Sequence, residues 1–202
     1  MADCDANNLS FPVEAALRIL ADLRSESDVV VTNQGSARLW PRFSQHAGDF
    51  NYNPSTMGGA IPLALGIALA CPAREVIVLS GDGSLLMNLG CLVTVIDSRA
   101  TNLSVILLNN GLYEVTGGQL IAAKRACTDF GGIARAVGFQ TVGNFSDQLA
   151  WQAQAAKILG QPGPRFISLR VSAMVTDCLN DATEPMAQQI QRLTSFLPVG
   201  GL

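Results

Sequence analysis

Two short polar segments of the sequence could together hold a metal ion and a phosphate group. Residues 81–84 (Gly-Asp-Gly-Ser) and residues 109–110 (Asn-Asn) each directly follow an apolar run. The carboxylate of Asp82 and the amide oxygen of Asn110 are hard ligands, which suit Mg²⁺ or Ca²⁺ better than zinc. A helix that begins after Gly83 would offer free N–H groups to a phosphate, and a glycine lets the phosphate approach the backbone closely. The pattern therefore predicts a metal-bridged diphosphate site.

The elements around these segments predict how they come together. The β-branched run at 75–80 and the run at 103–108 are typical of buried strands, and residues 84–96, which lack proline, are predicted to be one helix. A right-handed crossover through that helix makes the two strands parallel. Ligands of open parallel sheets bind beyond the carboxyl ends of the strands, so both polar segments should face one crevice.

Other phosphate motifs fit the sequence less well. A dinucleotide-binding fingerprint requires a glycine where Leu86 stands. A P-loop requires a lysine after its glycines, and the only lysines of the chain are Lys124 and Lys157. A plain strand-to-helix turn with Asp82 as the helix cap remains the alternative for the Gly-Asp-Gly segment by itself.

The order Gly-Asp-Gly, helix, strand, Asn-Asn, over the 30 residues from Gly81 to Asn110, resembles the signature of thiamine-diphosphate enzymes. The resemblance is to their diphosphate-binding domain and extends over residues 10–171. Within the family, the segment Gly111–Gln119 is most similar to phosphonopyruvate and sulfopyruvate decarboxylases. The resemblance implies a three-layer α/β fold in which a doubly wound, mainly parallel sheet carries helices on both faces.

The resemblance also implies roles for individual residues. The Asp82 carboxylate, the Asn110 side chain and the main-chain carbonyl of Leu112 would coordinate Mg²⁺, and Asn109 would be structural. The carbonyl of Ser55 would accept a hydrogen bond from the cofactor, and Met57 would wedge beneath it, although core packing is the alternative for a methionine. The residues expected to contact the cofactor are Gly35, Ser36, Ser55, Met57, Gly81, Asp82, Gly83, Ser84, Asn110 and Leu112. Small side chains at Ser36 and Ala37 leave the contact of that loop to backbone amides.

The resemblance implies that a chain of this length holds only part of the active site of the family. Thiamine diphosphate is activated with the help of a glutamate that lies on a separate pyrimidine-binding domain, and 202 residues hold only one of the two domains. The resemblance therefore implies a diphosphate- and Mg²⁺-binding subunit of a two-chain decarboxylase that acts on a small 2-oxo acid. The activating glutamate would come from a pyrimidine-binding partner chain, in a hetero-oligomer, or from a homo-oligomer formed through the same surface. Half of an acetolactate-synthase-like carboligase and a non-catalytic diphosphate-binding module are the alternatives.

Composition limits the remaining classes. Charged residues make up 14% of the chain, against roughly 25% in typical soluble domains, so we expect a surface buried against another chain. A net charge of −3 gives no footprint for nucleic acid, and no apolar stretch is long enough for a membrane span. Five cysteines without a close pair and no visible signal peptide favour reduced thiols and a cytoplasmic location.

The rest of the chain yields an organisation of three parts: a lead at 1–9, the domain at 10–171, and a tail at 172–202 with one helix at 185–196. The domain is expected to open with a helix capped by Ser10. His46, the only histidine, is interpreted as a surface residue of a loop that also contains Ser44, Gln45, Gly48 and Asp49, with catalysis as the alternative. Lys124 and Arg125 could attract an anionic substrate, but a solvated loop charge is the commoner explanation for such residues.

Overall fold

A six-stranded parallel sheet forms the centre of this computed structural model, which describes residues 9–125, 127–174 and 184–197. The strands are β1 (Val29–Asn33), β2 (Asp49–Tyr52), β3 (Val76–Gly81), β4 (Leu103–Asn109), β5 (Leu112–Tyr113), β6 (Gln119–Leu120), β7 (Thr141–Phe145) and β8 (Arg165–Arg170). The order across the main sheet is β2-β1-β3-β4-β8-β7, and every neighbouring pair is parallel. Strands β5 and β6 form a separate antiparallel pair beside it.

Helices cover both faces of the sheet. They are α1 (Val13–Leu23), α2 (Gln34–Leu39), α3 (Ala60–Ala70), α4 (Asp82–Leu86), α5 (Cys91–Asp97), α6 (Ala122–Arg125), α7 (Phe130–Val137), α8 (Gln148–Leu159) and α9 (Met186–Phe196). One apolar cluster joins the sheet to α3, α5, α7 and α9, and a second joins it to α1, α2 and α8. The predicted doubly wound α/β fold of three layers is confirmed.

The burial of β1 explains why the sheet lies in the middle. All five of its residues are buried, and successive valines alternate between the two clusters: Val29 and Val31 lie in one and Val30 in the other. A strand that packs helices on both sides needs apolar residues without interruption, which is the pattern of this run.

The order in which the chain adds strands to the sheet reverses between β1 and β3. From β1 the chain continues to β2 on one side, and from β3 it continues to β4 on the other. Such a switch point leaves a crevice at the carboxyl ends of the two central strands, because the connecting helices leave on opposite faces. Residues 33, 81 and 109, the last of β1, β3 and β4, lie along this edge.

Three predictions of local structure are wrong. The single helix expected at 84–96 is broken into α4 and α5, because Asn88 donates its side-chain N–H to the carbonyl of Gly58 at 3.0 Å instead of lying within a continuous helix. The region around Asp49, expected as a loop, contains β2. Helix α1 has Pro12 at its N-cap position and no side-chain cap, so Ser10 does not cap it.

The C-terminal helix packs beside β2 and confirms the helix predicted in the tail. The Gln189 side chain accepts a hydrogen bond from the N–H of Asn51 at 2.7 Å, and Arg192 donates to the carbonyl of Asp49 at 2.8 Å. Side chains of α9 thus satisfy backbone groups of β2, which is an edge strand of the sheet in the part of the chain that the structure describes. The predicted lead at 1–9 lies outside the described residues except for Leu9.

The cysteines depart from the expectation. Cys71 and Cys91 are free thiols, whereas Cys127 is disulfide-bonded. The prediction of reduced thiols is wrong at Cys127, because pairing depends on the separation of residues in space and sequence spacing does not reveal it. Within the described ranges, no helix has both the length and the apolar character to cross a bilayer.

Candidate functional site

A cleft opens at the carboxyl ends of β1, β3 and β4, at the switch point of the sheet. It brings together most of the residues predicted for the cofactor. Its lining includes Asn33, Gln34, Gly35, Ser36, Gly81, Asp82, Gly83, Ser84, Asn110, Leu112, Tyr113, Glu114, Ser172 and Met174. Ser55 and Met57 are not part of this lining.

Asp82 lies at the bottom of the cleft, where it is 1% exposed. One carboxylate oxygen accepts the N–H of Gly83 at 2.7 Å, and the other accepts the N–H of Gly111 at 2.6 Å. Burial nevertheless raises the pKa of Asp82 to about 6, because removal from water disfavours the charge more than these donors favour it. Among the described residues no lysine or arginine forms an ion pair with Asp82.

Asn110 and Glu114 stand beside this carboxylate. The amide oxygen of Asn110 accepts the N–H of Leu112 at 2.8 Å, which holds the loop after β4 in a tight turn. Burial raises the pKa of Glu114, the hydrogen bonds from Met174 and Asn110 oppose that rise, and the charge of Asp82 adds to it. Glu114 was not predicted from the sequence. Its place four residues after Asn110 is the one sequence signal that could have suggested it.

Ser84 joins three segments of the site. Its hydroxyl oxygen accepts the side-chain N–H of Asn33 and the backbone N–H of Gly58, each at 3.0 Å. Gly58 has a φ of +79°, which a residue with a side chain rarely adopts, and a Cβ there would lie 2.7 Å from Asn88. Ser84 therefore links the end of β1 and the start of α4 to the loop that carries Ser55 and Met57.

The loop between β1 and α2 has its own internal hydrogen bonds. The Ser36 hydroxyl donates to the carbonyl of Asn33 at 2.7 Å and accepts the N–H of Asn33 at 3.2 Å. This hydroxyl is therefore already engaged within the loop, and contact of a ligand with the backbone of Gly35 and Ser36 stays a prediction. Gln34 turns the chain here with a φ of +54°, an unfavourable conformation for a residue other than glycine.

The chemistry of the lining fits a divalent cation with a diphosphate. The buried Asp82 and the half-buried Glu114 face the cleft, and among the described residues neither acid forms an ion pair with a lysine or an arginine. Burial of unpaired negative charge is costly, and a cation would offset that cost. The described residues contain no group of three His, Cys, Asp or Glu side chains suited to a metal. A metal in this cleft would therefore need amide and carbonyl oxygens as well, and Asn110 and Leu112 both line the cleft.

His46 lies away from the cleft and has structural contacts. Its Nδ1 accepts the N–H of Gly48 at 3.0 Å and lies 2.8 Å from an N–H group of Arg24, while its Nε2 lies 3.0 Å from Glu26. With two donors directed at Nδ1, that nitrogen is the acceptor, so Nε2 carries the proton. The imidazole also packs edge-on against Phe196 of α9.

Comparison with known proteins identifies the family of this chain. A family model described as "Thiamine pyrophosphate enzyme, C-terminal TPP binding domain" matches residues 32–169. The chain belongs to this family. Thiamine pyrophosphate and thiamine diphosphate are two names for one compound, so the resemblance drawn from residues 81–84 and 109–110 is confirmed.

Relatives within the thiamine pyrophosphate enzymes include two decarboxylases. The sulfopyruvate decarboxylase subunit beta of Methanothermobacter thermautotrophicus is 36% identical over 166 residues, which cover 79% of this chain and 80% of that one. The phosphonopyruvate decarboxylase of Streptomyces viridochromogenes is 31% identical over 185 residues, which cover 92% of this chain and 46% of that one. The chain thus spans about half the length of the second relative.

A solved structure from Mycobacterium smegmatis, assigned as a thiamin diphosphate-dependent enzyme, shares the fold of this thiamine pyrophosphate enzyme domain. The two superpose with a TM-score of 0.67 at 22% identity, over 81% of this chain and 32% of that one.

Proposed function

We propose that this chain is the diphosphate- and Mg²⁺-binding subunit of a two-chain thiamine-diphosphate-dependent decarboxylase of small 2-oxo acids. The observation that carries the proposal is the cleft in which the buried Asp82 stands beside Asn110 at the ends of neighbouring strands. The similarity to a sulfopyruvate decarboxylase beta subunit over most of both chains supports the assignment to a separate subunit.

The proposal gives a part to eight residues of the cleft. The Asp82 carboxylate, the Asn110 amide oxygen and the Leu112 carbonyl hold Mg²⁺. The backbone at Gly81, Gly83 and Ser84, together with Gly35 and Ser36, holds the diphosphate. Bound thiamine diphosphate would supply the electron sink for loss of carbon dioxide, and the chain's task is to hold and orient it.

The loop before α3 is proposed to meet the other end of the cofactor. The Ser55 carbonyl would accept a hydrogen bond from it, and Met57, which is half-buried, would support it from below. The hydrogen bond between Gly58 and Ser84 supports this role, because it fixes the loop to the start of α4.

A partner chain is proposed to bind the outer face of α3 and α5. Helix α3 has no charged residue, yet Pro62, Gly66, Leu69 and Ala70 lie exposed along one side of it. Leu69 is 52% exposed and Val93 of α5, which packs beside α3, is 56% exposed. Exposed apolar surface of this kind marks an interaction site. The face continues from the Met57 loop, so a chain bound there would reach the cleft.

The partner we propose is a pyrimidine-binding chain that brings the activating glutamate, in a hetero-oligomer. Association of two copies through the same face is the alternative. Co-expression with the gene of a pyrimidine-binding chain, followed by affinity capture and size analysis, tests the choice. Leu69→Lys combined with Val93→Lys should abolish capture without loss of stability. Leu149→Lys, at a 73% exposed site on the opposite face, should leave it intact.

Cofactor binding is tested by the melting temperature of the purified chain. Thiamine diphosphate with Mg²⁺ should raise it by mass action, and Asp82→Ala should remove the shift. An Asp82→Ala chain that keeps the full shift contradicts the metal assignment. Release of carbon dioxide from sulfopyruvate, phosphonopyruvate or pyruvate by the reconstituted pair then tests the reaction and identifies the oxo acid.

A carboligase is the second candidate. The acetolactate synthase isozyme 1 large subunit of Escherichia coli is 30% identical over 168 residues, 73% of this chain and 28% of that one. Product analysis separates the two reactions: both release carbon dioxide from a first oxo acid, after which a carboligase joins the remaining fragment to a second oxo acid and a decarboxylase protonates it and releases an aldehyde. A non-catalytic diphosphate-binding module would bind the cofactor and catalyse neither reaction with any partner.

We also propose that residues 10–171 form the domain and that residues 172–202 form a tail.

A cytoplasmic location is proposed as well. The free thiols of Cys71 and Cys91 support it, and the disulfide at Cys127 argues against it. Alkylation of the protein at the moment of cell lysis, followed by peptide mass analysis, would show whether Cys127 is oxidised in the cell.

A further inference from the structure

The chain that leaves β8 runs into the cleft. Val171 pairs with Phe11, and the N–H of Ser172 donates to the carbonyl of Phe11 at 2.9 Å, which fixes the direction of the segment. The N–H of Met174 then donates to a carboxylate oxygen of Glu114 at 2.6 Å. Residues 172–174 are thereby tethered to the acid that stands beside Asp82 and Asn110.

The side chain of Met174 fills the space above Gly35. A methyl group placed on Gly35 would lie only 1.8 Å from Cε of Met174 and 3.1 Å from its sulfur, so the thioether end rests directly on the glycine backbone. Gly35 belongs to the loop after β1 that we propose faces the diphosphate. The same volume cannot hold both the methionine methyl and a ligand on the Gly35 backbone.

We propose that Met174 is an autoinhibitory plug of the diphosphate subsite, displaced from Gly35 and Glu114 when the cofactor binds. The inference rests on the proposed function, because it takes the cleft to be the diphosphate site. It adds a regulation of that site: the free chain spends part of its time closed, and cofactor binding is coupled to displacement of Met174.

The physical consequence is a lowered apparent affinity. A protein that is binding-competent for only a fraction of the time shows a dissociation constant raised by the inverse of that fraction. Methionine suits such a role because its unbranched thioether adapts to an irregular space. Shortening the side chain should empty the space above Gly35 without disturbing the sheet, since Met174 follows the last strand.

Calorimetric titration of the full chain tests the plug with two probes: inorganic pyrophosphate with Mg²⁺, and thiamine diphosphate with Mg²⁺. We expect Met174→Ala to bind both about threefold to tenfold more tightly than the parent chain. Met174→Leu, which keeps the volume, should bind as the parent does. Equal or weaker binding by Met174→Ala while the parent binds overturns the plug and leaves the proposed function intact.

Oxidation of the methionine sulfur gives a second readout that does not depend on affinity. Dilute peroxide followed by peptide mass analysis should oxidise Met174 faster once Mg²⁺ and thiamine diphosphate are added, because the thioether leaves the cleft. Met87, already 56% exposed, serves as the internal control and should not change. Slower oxidation of Met174 would mean that the cofactor packs over it, which contradicts displacement. If neither the parent nor Met174→Ala binds either probe, the proposed function fails as well.

Discussion

The Asp82 carboxylate accepts the backbone N–H of Gly111 at 2.6 Å. This one contact ties the end of β3 to the loop after β4, the two places that carry the predicted metal ligands. A site whose ligands are held by the scaffold before binding loses less entropy when the metal arrives. Asp82 and Asn110, which are 28 residues apart in the sequence, therefore lie in neighbouring segments of the folded chain.

Stability without ligand should fall as pH rises from about 4 to about 6, and Asp82 is the cause. Its pKa in the folded chain is raised from 3.8 to about 6, so the folded state binds a proton more tightly than the unfolded state does. The stabilisation is complete below the unfolded pKa and is lost as pH passes the folded pKa, by an amount on the order of 2 to 3 kcal/mol.

Chemical denaturation of the parent chain and of Asp82→Asn across this pH range measures the effect. The asparagine has the same shape and does not titrate, so the difference between the two chains isolates Asp82 from the other acids. Two curves that stay parallel would show that Asp82 titrates normally.

Ser84→Ala should destabilise the chain by roughly 2 to 4 kcal/mol, because the N–H groups of Asn33 and Gly58 lose their acceptor in a buried place. It should also weaken cofactor binding, since the loop that carries Met57 loses its attachment to α4. Ser195→Ala provides the comparison: that hydroxyl lies on the surface of α9 and donates within its own helix. Equal stability of the two variants would refute the linking role of Ser84.

Two glycines should respond in opposite ways to a methyl group. At Gly83 a Cβ would lie 2.6 Å from the ring of Tyr113, so Gly83→Ala should cost about 1 to 3 kcal/mol. At Gly66, inside α3, nothing lies within 4 Å, and Gly66→Ala should stabilise the isolated chain by up to about 1 kcal/mol. Thermal unfolding of both variants checks the pair. A Gly83→Ala chain as stable as the parent would mean that Tyr113 moves aside freely.

His46→Ala should lower stability by about 1 to 2 kcal/mol and leave cofactor affinity unchanged. The loss leaves the N–H of Gly48 without its acceptor in a partly buried place and removes one of the acceptors of Arg24, which keeps Ser44, Asp49 and the carbonyl of Asp28. Glu26→Ala removes only the exposed partner, whose carboxylate is 97% accessible, and should have almost no effect. A lower affinity of His46→Ala for thiamine diphosphate would contradict a purely structural role of the histidine.

The sequence predicted the centre of the molecule well, because its strands are long apolar runs with clear ends. The runs at 75–80 and 103–108 correspond to β3 and β4 within one residue at each end. Their carboxyl ends meet at one edge for topological reasons, so the polar residues that follow them could be placed together from spacing alone. Strand β2 escaped notice because Asp49 and Asn51, both buried, look like loop residues until their long-range contacts are known.

The rest of the site depends on contacts between distant segments. The turn between α4 and α5 follows from a bond between Asn88 and Gly58, 30 residues apart. Glu114 reaches the cleft through the shape of its loop, and Met174 arrives from 60 residues further along. Local sequence patterns do not reveal such residues, because they reach the cleft only through the tertiary fold. Ser55 and Met57 remain predictions, since their loop is attached to the site but does not line the cleft.

Gln189 and Arg192 of α9 have a consequence for assembly. By engaging the N–H of Asn51 and the carbonyl of Asp49, they remove the open margin at which a foreign strand could extend the sheet. Strand addition is therefore blocked on that flank, where a second copy or a partner would meet helix α9 instead of the open backbone of β2. Deletion of α9 would expose the backbone N–H and C=O groups of β2 and would favour aggregation of copies through that edge.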